Sequence, residues 1–262
     1  MERYLDKIEK SLVIFNSTEY KDIPFILTPV QKEILDSIIY RNHVIINKHR
    51  QAGITTLIAA YLAVLLTDKK TTPQTLQIMT PRYEMAKILL DKIKDFIKQI
   101  DKNASFEQRN LRAIAYKEHV IVYYCVNNRC IPGIRPTILV IDELAYVKDF
   151  KMYHFPKKTI IASTPSKKEN EFSKIFNNDK NDFVKISYPW YKNPLFNKFL
   201  AWTDGERKIP EPVMDDEGTV KYDPSRWRYI MKQGFKPTSP EYANMKKLLG
   251  DENTRLEMDV EF

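Results

Sequence analysis

Residues 43–56 read His43-Val44-Ile45-Ile46-Asn47-Lys48-His49-Arg50-Gln51-Ala52-Gly53-Ile54-Thr55-Thr56. The β-branched run at 43–47 is typical of a buried parallel strand. A glycine-containing loop follows, and then residues 55–67 have the almost wholly apolar sequence of a buried helix. This is the layout of a phosphate-binding loop, because backbone N–H groups at the start of the helix face the anion. The same order also fits a turn before a core helix.

The loop departs from the usual phosphate-loop pattern, G-x-x-x-x-G-K-[ST], at two positions. His49 or Lys48 stands where the first glycine is expected, and Ile54 occupies the usual lysine position. Because Ile54 cannot contact phosphate, we expect Lys48 to reach the β- and γ-phosphates from the start of the loop. We expect the hydroxyl of Thr55 to bind Mg²⁺.

A second apolar run ends in two carboxylates, Asp142 and Glu143, directly after residues 138–141. In phosphate-loop enzymes an aspartate at the end of such a strand holds Mg²⁺, and a neighbouring glutamate activates the attacking water. An Asp-Glu helix cap after a strand is the alternative. The position of this pair downstream of the loop, with predicted strands between them, favours the catalytic interpretation.

Three shorter motifs have the positions of nucleotide-dependent motor motifs. Residues 159–162 predict a strand that ends in Ser163, Thr164 and Pro165, a place where helicase-like ATPases hold a motif that senses the γ-phosphate. Residues 25–31 are similar to a glutamine motif, in which an amide such as that of Gln31 reads the adenine edge. Residues 80–83 match the place of a coupling or DNA-facing motif. The alternative for residues 159–165 is a simple turn. The alternative for Gln31 is a surface glutamine, and for residues 80–83 it is the start of a helix.

Strands alternate with helices up to about residue 190, which predicts a parallel sheet covered on both faces. Residues 104–127 predict short antiparallel strands, and residues 1–24 predict an amphipathic helix and a polar connection. We therefore expect a core at 1–190, with a helical lead-in at 1–40. Prolines break the remainder, 191–262, into a small irregular or helical subdomain.

Composition limits the classes of protein that fit. Two cysteines are too few for a disulfide scaffold, no run approaches a membrane span, and the charged N-terminus is unlike a signal peptide. We therefore expect an intracellular protein without a structural zinc site. The net charge of +8 permits a polyanionic partner. Residues 151–200 hold ten lysines against four acidic residues, so they are a candidate DNA or subunit contact, or a solvated face.

Together these motifs resemble the ATPase domain of the large terminase subunit, the DNA-packaging motor of tailed bacteriophages. Residues 48–56 read K-x-R-Q-x-G-x-T-T, which is similar to a family phosphate loop whose lysine has moved to the start. The resemblance covers residues 25–262. Further segments similar to the family are residues 133–137, 144–147, 188–194 and 254–262.

The resemblance implies a three-layer α/β P-loop ATPase of the additional-strand, catalytic-glutamate type, with a mainly parallel sheet and a small C-terminal subdomain. ATP and Mg²⁺ are the implied cofactors, with Thr55 and Asp142 at the metal. The implied catalytic residues are Glu143, Lys48 and Arg50, the last contacting the γ-phosphate or acting as an arginine finger. The coupling residues are Ser163, Thr164 and Pro165. The nucleotide-binding residues are Phe25, Gln31, Lys48, His49, Arg50, Gln51, Ala52, Gly53, Ile54, Thr55 and Thr56.

The implied partners are double-stranded DNA, the portal protein, the small terminase subunit and further copies of the chain in a ring, a pentamer on the capsid. The implied place of action is the host cytoplasm during virus assembly, with no membrane partner. Large terminases normally continue into a nuclease domain with clustered acidic metal ligands. The acidic run 215–217 lies in a loop with no sheet to carry it, so we expect no nuclease activity from this chain.

Two other functions fit some of these motifs. A helicase-like, nucleic-acid-dependent ATPase shares them, but we expect it to have a second motor domain, for which 262 residues leave no room. A non-hydrolysing DNA-binding or assembly module on a P-loop scaffold would explain Ile54 in the lysine position. The presence together of Lys48, Thr55, Asp142 and Glu143 argues against it.

Overall fold

Strands and helices alternate through most of the chain. The computed structural model describes residues 2–16, 20–125, 135–148, 150, 155–166, 169–212, 216 and 218–260. The strands are β1 Val13–Asn16, β2 Lys21–Pro24, β3 His43–Lys48, β4 Thr75–Thr80, β5 Glu107–Asn110, β6 Ala113–Tyr116, β7 His119–Cys125, β8 Ile138–Asp142, β9 Lys158–Ser163, β10 Val184–Tyr188, β11 Ala201–Thr203, β12 Lys208–Pro210 and β13 Lys236–Thr238. The helices are α1 Glu2–Ser11, α2 Pro29–Tyr40, α3 Ile54–Thr67, α4 Tyr83–Ile100, α5 Glu171–Asn177, α6 Pro224–Lys232, α7 Pro240–Leu249 and α8 Asp251–Glu257.

Eight of the strands form one sheet in the order β10-β3-β9-β8-β4-β7-β6-β5. The first six run parallel to their neighbours, and β6 and β5 extend the sheet in antiparallel pairing. The strand β9 lies between β3 and β8, so one additional strand separates the strand before the loop from the strand that ends in Asp142. This order confirms the prediction of a mainly parallel sheet.

Alternate side chains of the parallel strands enter two different cores, one on each face of the sheet. Val44 and Ile46 of β3 pack into the core that contains α2, α3 and α4, whereas Ile45 packs into the opposite core with Phe172 of α5. In β8, Val140 enters the first core and its neighbours Leu139 and Ile141 enter the second. The protein is therefore a three-layer α/β fold, as predicted.

Two helices next to the sheet begin where their sequences predict. Thr28 caps α2 by accepting a hydrogen bond from the backbone N–H of Gln31, and Pro29 occupies the first helical position. The helix α3 is buried almost all round because the helices α1, α2 and α4 all pack against it. An apolar helix of this kind needs no polar face.

Two parts of the chain differ from the sequence prediction. The polar connection expected before Pro24 contains an antiparallel hairpin of β1 and β2, whose four-residue strands are too short to give a clear alternating pattern. The region after 191 contains a three-stranded antiparallel sheet, β12-β11-β13, as well as helices. Pro237 is accommodated there because β13 is an edge strand, where a missing N–H costs no ladder bond.

The C-terminal region has a separate aromatic core. Trp190, Trp202 and Trp227 are almost fully buried and pack with Leu200 and Met258. Trp190 belongs to this core although it stands at the end of the predicted 1–190 unit. The predicted boundary near residue 190 stays a prediction.

None of the helices within the described ranges combines the length and the apolar character needed to cross a bilayer.

Candidate active site

Three neighbouring parallel strands end in polar side chains at the same edge of the sheet. The strand β3 ends in Lys48, β8 ends in Asp142, and β9 ends in Ser163. Ligands of open α/β sheets bind outside the carboxyl ends of the strands. The loop 49–53 leaves from this edge and enters α3, so the predicted phosphate loop and the Asp-Glu pair meet in space.

Gly53 gives the loop its final turn. Its φ is +74°, and Gln51 also lies in the left-handed region with φ of 60°. A Cβ atom on Gly53 would lie 2.8 Å from Nε2 of Gln31. Only glycine therefore combines this backbone conformation with this close approach. The first amides of α3 have no carbonyl within the helix to bond, which leaves them and the positive end of the helix dipole to face an anion.

Gln31 holds this loop in place from α2. Its Nε2 donates to the carbonyl of Ala52 at 3.1 Å, and its Oε1 accepts from the backbone N–H of Thr28 at 3.0 Å. Both ends of the amide are therefore engaged within the chain. The predicted contact between Gln31 and adenine stays a prediction.

Thr55 and Asp142 form the pair expected at a metal ion. Oγ1 of Thr55 donates to Oδ2 of Asp142 at 2.8 Å. Oδ1 of Asp142 is buried and has no hydrogen-bond partner among the residues that the structure describes. Burial raises the pKa of Asp142 to about 6, and the nearby ammonium of Lys48 acts in the opposite direction.

This donor set fits Mg²⁺. The ion uses one or two protein oxygens and completes its shell with water and phosphate. The hydroxyl of Thr55 and the unpartnered oxygen of Asp142 would hold it, and a cation beside Asp142 would remove the cost of burying that carboxylate.

Lys48 contacts the predicted catalytic glutamate. Its Nζ lies 2.5 Å from Oε1 of Glu143, and the side chains of Lys48 and Glu143 are 7% and 18% exposed. Glu143 follows β8 in the left-handed conformation with φ of 60°. This conformation costs a non-glycine residue on the order of 1–3 kcal/mol, and such strain is concentrated at functional sites. The strand end thus turns the carboxylate toward the loop lysine.

The other oxygen of Glu143 contacts the predicted coupling motif. Oε2 accepts from the backbone N–H of Thr164 at 3.2 Å and from Oγ of Ser163 at 3.4 Å. Ser163 also accepts from the N–H of Ala145 at 3.1 Å, which ties β9 to the turn after Glu143. The carbonyl of Pro165 accepts from the hydroxyl of Tyr146 at 3.2 Å. Glu143 is therefore joined by hydrogen bonds to the end of β9.

A cavity of about 340 Å³ opens in front of Glu143. Arg50 stands on its wall, and both carboxylate oxygens of Glu257 accept from its Nη1 at 3.0 Å. The cavity is lined by Arg50, Arg82, Met85, Glu143, Tyr146, Thr164 and Glu257.

Four of the predicted nucleotide-binding side chains lie elsewhere. Phe25 is buried and stacks on Phe96, with ring centroids 6.1 Å apart. His49 is fully buried, with Nε2 3.2 Å from Nδ2 of Asn193. Ile54 belongs to the core, and Thr56 lines a different cavity.

Sequence reasoning missed Glu257 and Tyr146 as residues of this site. Tyr146 closely follows the Asp-Glu pair in the sequence, and this proximity is the signal that points to it. Glu257 stands 207 residues after Arg50, and nothing in the sequence indicates their contact. Arg82, which belongs to the run 80–83 that matches the place of a coupling or DNA-facing motif, lies on the cavity wall.

Some predicted features lie outside the described residues. These are Gly133 and Ile134 of the run before β8, Asp215 and Glu217 of the acidic loop, Lys151, Lys167 and Lys168 of the lysine-rich stretch, and Glu261 and Phe262 at the end of the chain.

Comparison with known structures gives the same fold. The chain is similar to the HK97 bacteriophage large terminase, with 16% identity and a TM-score of 0.63 over 98% of this chain and 55% of that chain. It is also similar to the ATPase domain of the Thermus phage P74-26 large terminase, with 14% identity and a TM-score of 0.56 over 93% of this chain and 95% of that one. At these identities the likeness shows the fold alone.

The chain spans about half the length of the HK97 large terminase. No curated protein matches its sequence. The sequence profile of the family described as terminase large subunit, ATPase domain, matches residues 37–176, which is more than half of the chain. The chain therefore belongs to the family of terminase large subunit ATPase domains.

Proposed function

We propose that this chain is an ATP-hydrolysing motor domain of a phage large terminase and that it drives double-stranded DNA into a prohead. The observation that carries the proposal is the meeting of two pairs, Thr55 with Asp142 and Lys48 with Glu143, at the carboxyl edge of the sheet. These four side chains supply a metal site, a phosphate-binding cation and a carboxylate that orients water. Phosphoryl transfer needs this positioning and charge rather than covalent chemistry.

Each residue then has a distinct role. Thr55 and Asp142 would hold Mg²⁺, which would supply positive charge to neutralise the phosphate. Lys48 binds the β- and γ-phosphates, and Glu143 orients the attacking water. Lys48 and Glu143 neutralise one another in this conformation, so they need to separate before either acts. Arg50 binds the γ-phosphate or senses it from a neighbouring subunit.

The contacts of Glu143 with β9 support coupling of hydrolysis to movement. Because the backbone of Thr164 and the hydroxyl of Ser163 both donate to Glu143, displacement of its carboxylate releases the end of this strand. The motor role extends to a ring of subunits, the portal protein, the small terminase subunit and DNA in the host cell, all of which follow from the family.

The test is Mg²⁺-dependent ATP hydrolysis by the purified chain at high protein concentration, with ATP binding measured in parallel. We expect Glu143→Gln to lower turnover by about 10²-fold or more while ATP binding is retained, because the carboxylate acts on water rather than in binding. Lys48→Ala should weaken both, and Lys69→Ala, which removes an exposed lysine, is the matched control.

The alternatives predict different results. A non-hydrolysing module would bind DNA or ATP without turnover, even when duplex DNA and further copies of the chain are supplied. A helicase-like ATPase would be stimulated more by single-stranded than by double-stranded DNA. Turnover that survives Glu143→Gln unchanged would contradict the assigned role of Glu143.

A further inference from the structure

The last residue of α8 reaches into the nucleotide site. Nη1 of Arg50 donates to both carboxylate oxygens of Glu257 at 3.0 Å each. The backbone N–H of Arg50 also donates to the carbonyl of Glu257 at 2.7 Å. Two residues separated by most of the chain are thus joined through side chain and backbone together.

The segment that contains Glu257 is anchored at two further points, one just after β10 and one in β3 next to the loop. The carbonyl of Met258 accepts from the backbone N–H of Trp190 at 3.0 Å. The carbonyl of Val260 accepts from Nδ2 of Asn47, which lies one residue before Lys48, at 2.9 Å. These backbone contacts fix Glu257 relative to the loop without any contribution from its own side chain.

The ion pair is poorly placed to stabilise the fold. The side chain of Arg50 is 66% exposed and that of Glu257 is 21% exposed. Exposed pairs of this kind contribute about 0–1 kcal/mol to stability, because water screens the charges. The main consequence of this ion pair is therefore that it orients the guanidinium of Arg50.

That orientation leaves the rest of Arg50 available. Both contacts with Glu257 use Nη1, while Nη2 and Nε have no hydrogen-bond partner among the described residues. Arg50 lines the same cavity as Glu143 and Thr164, so a guanidinium with unused N–H groups borders the space in front of Glu143. The hydrogen bond that Arg50 donates to the carboxylate of Glu257 also raises the pKa of Arg50.

We propose that Glu257 is a positioning residue of the nucleotide site, which holds the guanidinium of Arg50 so that its remaining N–H groups bind the γ-phosphate of ATP. This inference rests on the proposed function. It makes the nucleotide site depend on α8, at the far end of the chain.

The test compares the affinities of ATPγS and ADP, which differ at the γ-position, for the parent and its variants. We expect Glu257→Gln to reduce the preference for ATPγS over ADP by about tenfold, the size of one charge-assisted hydrogen bond, with little change in ADP affinity. Arg50→Ala should give a similar loss. In the Arg50→Ala background, Glu257→Gln should have no further effect, because a positioning residue acts only through its partner.

Glu206→Gln is the matched control, because it removes the same charge from an exposed site in the C-terminal region. Thermal unfolding of each variant checks that the fold is kept, and the backbone contacts of Glu257 remain in all of them. An unchanged nucleotide preference in Glu257→Gln, or losses that add in the double variant, would overturn the inference while leaving the proposed function intact. A parent chain that binds neither nucleotide would refute the proposed function itself.

Discussion

Thr55 and Thr56 are adjacent in the sequence, but they face different parts of the protein. The hydroxyl of Thr55 donates to Asp142, whereas Thr56 lines a cavity with Lys92 and Phe96 of α4. We expect Thr55→Ala to lower Mg²⁺-dependent hydrolysis by about 10²-fold, since it removes a metal ligand and a partner of Asp142. Thr56→Ala should stay within about twofold of the parent.

Steady-state hydrolysis at several Mg²⁺ concentrations measures this difference. The loss in Thr55→Ala should shrink as Mg²⁺ rises, because the remaining ligands still bind the ion weakly. Equal losses in both variants would contradict the structure, in which the hydroxyl of Thr55 contacts Asp142 and Thr56 lines a different cavity.

Burial of the charged carboxylate of Asp142 lowers the stability of the folded chain. Its pKa of about 6 lies above the usual value of 3.8, because burial disfavours its charge. As the pH rises, this carboxyl loses its proton at a lower pH in the unfolded chain than in the folded one. The free-energy cost of the buried charge is therefore fully present above pH 6 and vanishes below about pH 4. We expect Asp142→Asn to raise the free energy of unfolding at pH 8 by on the order of 1–3 kcal/mol and to abolish hydrolysis.

Urea unfolding of the parent and Asp142→Asn at pH 8 and pH 4, without Mg²⁺, tests this expectation. The gain should disappear at pH 4, where the parent carboxyl is also neutral. A variant less stable than the parent at pH 8 would show that the ion pair and hydrogen bonds around Asp142 outweigh its burial.

The connection between β3 and α3 depends on one glycine. Gly53 has a φ of +74°, and a Cβ added there would lie 2.8 Å from Nε2 of Gln31, whereas Gly234 has a φ of +88° and a Cβ added there would meet nothing within 4 Å. Alanine at either position costs roughly 1–2 kcal/mol for the left-handed conformation. Gly53→Ala should cost about 1 kcal/mol more, because it also displaces Gln31 from the carbonyl of Ala52.

Chemical denaturation of the two glycine variants measures the extra cost directly. In a Gln31→Ala background the extra cost of Gly53→Ala should fall toward zero, since the clashing amide is gone. If Gly53→Ala and Gly234→Ala cost the same, Gln31 does not restrain the loop.

At the level of elements, sequence patterns predicted the strands and helices with strong signals. The β-branched runs of β3, β8 and β9 and the cap of α2 at Thr28 were recognised because each depends on its own residues. The hairpin of β1 and β2 was missed, since four-residue strands carry too little alternation to be seen. The sheet around β11 was also missed, because its strands have three residues and two contain proline.

At the scale of the whole molecule, the sequence predicted which chemical groups meet but not every contact. Asp142 and Glu143 end a strand, so their approach to the loop follows from parallel-sheet topology. Glu257 and Asn193 reach the loop from distant segments, and such approaches depend on tertiary packing that no local pattern encodes. The same holds for His49, which lies in the predicted loop but turns into the interface with the C-terminal region.

His49 joins the nucleotide loop to that region. It is fully buried against the rings of Tyr188 and Phe196 and contacts Asn193. Burial lowers its pKa from 6.5 to about 4, because the charged imidazole is poorly solvated there. As the pH falls, the imidazole takes up its proton at a higher pH in the unfolded chain than in the folded one. The free energy of unfolding is therefore highest above pH 6.5 and falls by up to about 3 kcal/mol as the pH drops toward 4.

The measurement is the free energy of unfolding between pH 7.5 and pH 4 for the parent and for His49→Gln, which cannot take up the proton. The pKa of His119 is lowered as well, so the parent loses stability on acidification through both residues. The difference between the two proteins isolates His49. We expect His49→Gln to be less stable at pH 7.5, because glutamine packs poorly between two aromatic rings, and to lose less on acidification. Parallel curves would mean that His49 is solvated in solution, and the junction between the loop and the C-terminal region would then be open rather than packed.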